Sequence, residues 1–168
     1  MQNPDQPKFE YKGGKLFLDK EGRWFHEGVE ITHKLTAELF SRSIKKDEDG
    51  RYVLEVGQEW APVQVEDTPF MVRRVDVGED SVRATLNDGS EEELDLDTLR
   101  INDRNVLYCD VKNKEYPARF LRPAYYQLMN HLVENESGYA VKIGNRSWHI
   151  ENSERQKESL LSKTWNGC

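Results

Sequence analysis

Histidine and carboxylate side chains are the usual material of general acid–base chemistry, and two short segments of this chain bring them close to aromatic residues. One is Trp24-Phe25-His26-Glu27-Gly28; the other is Val65-Glu66-Asp67-Thr68-Pro69-Phe70. His26-Glu27 resembles the start of a zinc-binding helix, but that chemistry needs two histidines four residues apart on one helical face. The next histidine, His33, comes seven residues later with an extended stretch between. His131, His149 and Cys109 show no ligand spacing, so no metal residue is assigned. No glycine-rich phosphate loop, serine elbow or Cys-x-x-Cys occurs, and no catalytic or cofactor residue is assigned.

The two segments each leave alternatives open. Strand alternation puts Trp24 and His26 on one face and Phe25 and Glu27 on the other. His26 is then either satisfied by a backbone carbonyl or set toward a ligand. Asp67 caps a turn through its side chain, or Glu66 and Asp67 bind a cation or a ligand's amine. A third option pairs them with Arg119 or Arg122 as scaffold.

The elements that position these residues are short. Lys15–Leu18 and Trp24–His26 flank a turn at Asp19-Lys20-Glu21-Gly22, which reads as a hairpin. Thr32 is the expected N-cap of a helix near 33–46, with Leu35, Leu39, Phe40 and Ile44 as its apolar stripe and Lys45-Lys46 at its end. Tyr52, Leu54 and Val56 alternate, and so do Ala61, Val63 and Val65. Asn87-Asp88-Gly89 predicts a tight hairpin into Glu92–Leu96. Pro123 opens a second helix near 123–134, striped by Tyr125, Leu128, Met129, Leu132 and Val133. Strands follow at Tyr139–Ile143 and Trp148–Ile150. The order strand, helix, glycine turn, Tyr-led strand, glycine turn, strand thus occurs twice. It predicts an α+β protein, rich in antiparallel strands, built as two similar strand–helix–hairpin units in one pseudo-symmetric body. The expected division is an N-terminal arm over 1–12, a first unit over 13–70, a second β-rich unit over 71–151 and a polar tail over 152–168.

Composition narrows the classes. The chain has 168 residues, 31 acidic and 24 basic, a net charge of −7, and 36% hydrophobic residues. Its 4 Trp, 7 Tyr and 6 Phe are too many for an unfolded chain. No apolar run is long enough to span a membrane, and the polar start lacks the core of a secretory signal. Cys109 and Cys168 form no disulfide framework, and reduced thiols fit a cytoplasmic protein. Duplex nucleic acid is excluded as a partner by the negative charge and the lack of any basic run beyond a pair. Residues 70–112 hold 11 acidic and 6 basic side chains, most of the acids between Glu79 and Asp97. That reads as a solvated acidic hairpin or as a surface for a basic protein partner.

The stretch from Trp24 to Phe70 resembles a bacterial family, the domain of unknown function 1285. The likeness is carried by Trp24, His26, Gly28, Ile31, Leu39-Phe40-Ser41, Asp49-Gly50-x-Tyr52-x-Leu54 and Val65-Glu66-Asp67-x-Pro69-Phe70. It continues more weakly through Ala118-Arg119, Arg122-Pro123 and Tyr125-Tyr126-x-Leu128, covering most of residues 13–151. The resemblance implies an α+β fold with repeated motifs, no established activity, and a regulatory or signalling role. Glu55–Trp60 departs from the family's Thr-Pro-containing hairpin.

Function then divides three ways. The leading expectation is a non-enzymatic domain binding a small polar ligand between the two units, near His26, Tyr52, Glu66, Asp67 and Arg119. The alternative is an interaction module using the acidic hairpin or strand edges. A hydrolase with Glu66 or Asp67 as base and His26 as acid needs both groups within about 3 Å of one substrate, which no spacing supports. Oligomeric state is not read from the sequence.

Overall fold

The computed structural model describes residues 15–153. The arm expected over 1–12 and, past Ser153, the tail with Leu160, Leu161, Trp165 and Cys168 lie outside the described residues. The architecture is α+β and strand-rich, with two α-helices among sixteen short strands in the described residues.

The first sheet takes β1 (Leu16–Leu18), β2 (Trp24–His26), β3 (Val29–Glu30), β4 (Ile44–Lys46), β5 (Tyr52–Val56) and β6 (Glu59–Val65), in the order β3-β2-β1-β6-β5-β4. Its neighbours are antiparallel except β1 and β6, which run parallel with Leu18 opposite Val65. Asp19 shapes the β1–β2 turn by accepting the Glu21 and Arg23 N–H groups at 2.9 and 2.8 Å. α1 (Lys34–Ser43) crosses from β3 to β4. It is shorter than the expected 33–46, because Ile44 leaves the helix in an extended conformation and pairs with Leu54 of β5. Lys45-Lys46 therefore lies on a strand. The cap is His33, not Thr32: its Nδ1 accepts the Thr36 N–H at 3.3 Å. Leu39, Phe40 and Ile44 are buried as the stripe requires, while Leu35 is exposed.

The second sheet takes β7 (Phe70–Val77), β8 (Val82–Leu86), β9 (Glu91–Glu93), β10 (Arg100–Ile101), β11 (Leu107–Val111), β12 (Tyr116–Phe120) and β16 (Glu151–Asn152), in the order β16-β10-β11-β12-β7-β8-β9. A 3₁₀ turn at Leu96–Thr98 precedes β10. β7 bulges between Val72 and Arg74. α2 (Arg122–Met129) packs there, and the Val75 N–H donates to Gln127 Oε1 at 2.9 Å. This helix also stops short of the expected 134. After Asn130 the chain turns, and Leu132 and Val133 pair with Val141 and Ala140 across a separate three-stranded sheet. That sheet is β13 (Leu132–Asn135), β14 (Gly138–Ile143) and β15 (Arg146–His149).

The order strand, helix, three-stranded meander occurs twice, as β3–α1–β4–β5–β6 and β12–α2–β13–β14–β15. The two meanders are used differently. The first is fused through β6 to β1, and the second stands as its own sheet. One continuous core joins everything, from Leu16 and Trp24 through Phe70 and Leu107 to Trp148 and Ile150.

A buried polar joint locks the two larger sheets together. The Trp24 indole N–H donates to Ser41 Oγ at 2.9 Å, and the Asn87 amide donates to the same oxygen at 3.2 Å. Asn87 Oδ1 in turn accepts the Met71 N–H at 2.9 Å. The Asn87-Asp88-Gly89 hairpin forms as expected, but its turn faces inward: Asn87 and Asp88 are 1% and 5% exposed.

Candidate functional site

The residues expected to share a pocket fall into three places. Asp67 and Arg119 meet: Arg119 Nη1 donates to Asp67 Oδ2 at 2.9 Å, and the Tyr108 hydroxyl donates to the same oxygen at 2.7 Å. Tyr108 and Arg119 face each other across β11 and β12, which fixes the geometry. Thr68 completes the node by accepting the Arg119 backbone N–H at 3.1 Å and donating to the Phe70 carbonyl at 2.7 Å. Burial, reinforced by the Asp67 carboxylate, pushes the Tyr108 hydroxyl up to about 12. The phenol stays protonated at neutral pH and serves as a donor, and Asp67 is committed to two partners. This is the scaffold arrangement named among the alternatives for Asp67. Tyr108 is its unforeseen member.

Glu66 lies next in the chain but reaches elsewhere, its Oε2 accepting the Lys20 N–H at 2.7 Å and closing the β1–β2 turn onto β6. His26 sits opposite Leu16, which faces Val63. Asp67 lies past the end of β6, which stops at Val65, and its carboxylate is held by Tyr108 and Arg119.

Tyr52 is at the seam between the sheets. It faces Lys46 across β4 and β5, and the Lys46 ammonium lies 4.9 Å from the Tyr116 ring centre and donates to the Glu115 carbonyl at 2.8 Å. Burial first, then Tyr116, pushes the Tyr52 hydroxyl up. Phe70 packs edge-on to Tyr116, and the Lys112 ammonium lies 5.3 Å from the centre of the Phe70 ring. Lys112 also donates to Asp88 Oδ2 at 2.8 Å and to Ser90 Oγ at 2.9 Å. Burial opposes the Asp88 charge, but these bonds and those from Ser90 prevail and hold its carboxyl below the ordinary range. Burial likewise pushes the free Cys109 thiol up, so it is a core residue rather than a nucleophile.

A cleft of about 290 Å³ opens elsewhere, between the β7–β8 turn, the end of β9, the 3₁₀ turn and β15. Asp80, Glu93, Asp95 and Asp97 supply four carboxylates to its lining, which also holds the guanidinium of Arg146, and Asp95 is paired with Lys114 at 3.4 Å. Leu94, Leu96 and Trp148 form its apolar part and are otherwise buried. The walls are brought together by Gly144. A Cβ there would stand 2.6 Å from the Glu79 carbonyl, and its φ of +61° suits the first position of the β14–β15 turn. None of the residues expected to bind a ligand lines this cleft. Its signal in the sequence is the run Glu79–Asp97, with eight acids against Arg83, but nothing local brings Trp148 to it. Among the described residues no three His, Cys, Asp or Glu side chains converge to hold a metal ion. No helix there is long and apolar enough to cross a membrane.

Residues 6–68 match the N-terminal domain of the family described as Domain of unknown function (DUF1285). Two solved structures share the fold. One is a DUF1285 family protein from Silicibacter pomeroyi DSS-3, with a TM-score of 0.68 and 20% identity over 86% of this chain and 83% of that one. The other, from Shewanella baltica OS155, has a TM-score of 0.57 and 20% identity over 70% of this chain and 91% of its own. No curated protein matches the chain.

Proposed function

We propose that this chain, which carries the DUF1285 N-terminal domain its motif residues imply, is a non-enzymatic, regulatory binding domain that takes a small cationic ligand in the acidic cleft. The observation behind this is the cleft itself: four carboxylates around a mostly buried indole and two leucines, in about 290 Å³. Such a lining attracts positive charge through its field and accepts an apolar body through its walls. In this reading Asp67, Arg119 and Glu66 are scaffold, Tyr52 belongs to the seam, and the two strand–helix–meander segments are pseudo-symmetric units.

The adaptor reading has less behind it. β9 is a free sheet edge carrying Glu91, Glu92 and Glu93, but Glu91 pairs with Arg83 at 3.1 Å and Glu92 accepts the Lys112 N–H at 3.3 Å. Charges on an edge strand also guard against pairing with other chains.

Titration calorimetry with agmatine, which carries a guanidinium and an amine on a short apolar chain, tests the proposal. Saturable binding is expected, weakened at least about tenfold by Glu93→Gln combined with Asp97→Asn, a change of roughly 1.4 kcal/mol. Absence of saturable binding, or binding indifferent to both substitutions, overturns it.

A further inference from the structure

The cleft already holds a cation of the protein's own. Arg146 and Trp148 are two apart on β15 and so share a face. The Arg146 guanidinium carbon lies 4.6 Å from the centre of the Trp148 ring. Trp148 is the only aromatic residue in the cleft lining, and it is 8% exposed, whereas Arg146 is exposed. A cationic ligand drawn in by the carboxylates would seek the same ring face, because that is where an aromatic quadrupole attracts positive charge.

Resting on the cleft reading above, the geometry points to Arg146 as an internal competitor: its guanidinium occupies the cation subsite on Trp148, and a ligand binds by displacing it. An exposed cation–ring contact is weak, so the occupant yields readily and sets the affinity threshold without closing the site. The ligand class that fits is one whose head matches the displaced group, a guanidinium or compact alkylammonium on an apolar stem.

Arg146→Gln removes the occupant and leaves a neutral polar side chain at an exposed position. Agmatine should bind this variant about two- to fivefold more tightly than wild type, the range of an exposed cation–ring contact. Loss of one positive charge would also raise affinity through the field alone, so two controls separate the effects. Arg83→Gln removes a charge from the same acidic hairpin without touching Trp148, and 0.5 M NaCl screens the field but not the competition. The gain should persist in salt for Arg146→Gln and vanish for Arg83→Gln. In the wild-type protein, NMR signals of the Arg146 side chain, shifted upfield by the indole, should move back as agmatine saturates.

The competitor role is overturned if Arg146→Gln binds agmatine no better than wild type, or if Arg83→Gln gives the same gain in salt. Unmoved Arg146 signals at saturation overturn it as well. If neither wild type nor Arg146→Gln binds agmatine at all, the cleft reading falls with it. Binding by wild type without a gain in the variant removes the competitor role alone.

Discussion

Asp88 is buried and Asp67 is exposed, and their carboxylates depend on different partners. Asp88 stays charged against burial because Lys112 and Ser90 reach it. A carboxyl whose folded-state value is lowered adds stability that is complete above the unfolded value of about 3.9 and is lost as pH falls through the lower folded value. Asp88→Ala strips Lys112 of its anion and the turn of its Ser90 bonds, costing about 2–3 kcal/mol at neutral pH. Denaturant melts at pH 7 and about pH 2.5 check this. The gap between wild type and variant should narrow at the lower pH, and an undiminished gap would assign the loss to packing. The Asp67–Arg119 pair is legible in the sequence as one of the partners Arg119 and Asp67 offer each other. Tyr108 is not. Its place depends on the β11–β12 hairpin, where Lys112, Asn113 and Lys114 all adopt positive φ. A left-handed run without glycine is a conformation that local propensity argues against, so only tertiary contacts explain it.

At the scale of elements, close backbone approach shapes the cleft. Gly144→Ala would place a methyl 2.6 Å from the Glu79 carbonyl in a left-handed conformation. The expected cost is about 2–4 kcal/mol, with weaker agmatine binding as the β7–β8 turn is pushed away. Gly57 is the control: its φ is also positive, +62°, but nothing lies within 4 Å of the added Cβ. Gly57→Ala should cost only the conformational part, about 1–2 kcal/mol. Thermal melts of both variants measure the difference, and equal losses would refute the close approach. Helix existence is legible from the stripes through Leu39 and Leu128, whereas the helix ends are not. Ile44 and Leu132 continue the helical period, but Leu54 and Val141 offer them strand partners. Pairing across the chain outweighs a pattern within it.

The whole molecule depends on the joint at Ser41. Ser41→Ala leaves the Trp24 indole N–H and the Asn87 amide buried without their shared acceptor, a loss of about 2–4 kcal/mol. That lowers the melting temperature by roughly 5–10 °C in a protein of this size. Near-ultraviolet signals from the core tryptophans, Trp24 and Trp148, and far-ultraviolet signals from the sheets should still fall together. Separated transitions would mean the two sheets are not one cooperative body. The α+β class and the repeated element order are legible in the turns and apolar periods, and Trp24 and Ser41 even stand out as motif residues. Their meeting with Asn87 is not, because it joins positions far apart in the chain. The cleft is hidden for the same reason, since its acids and its indole are separated by half a hundred residues.

Each larger sheet is closed by parallel strands distant in sequence: Leu16–Leu18 with Val63–Val65, and Phe70–Val72 with Ala118–Phe120. Synthesis therefore imposes a timetable. The centre of the first sheet can close once Val65 has left the ribosome, but Phe70–Val72 must wait for Phe120. At elongation rates of about 5–20 residues per second, this strongly apolar strand has an unmated edge for roughly 2–10 s. During that interval the nascent chain is most open to capture by a chaperone or by a neighbouring copy of itself.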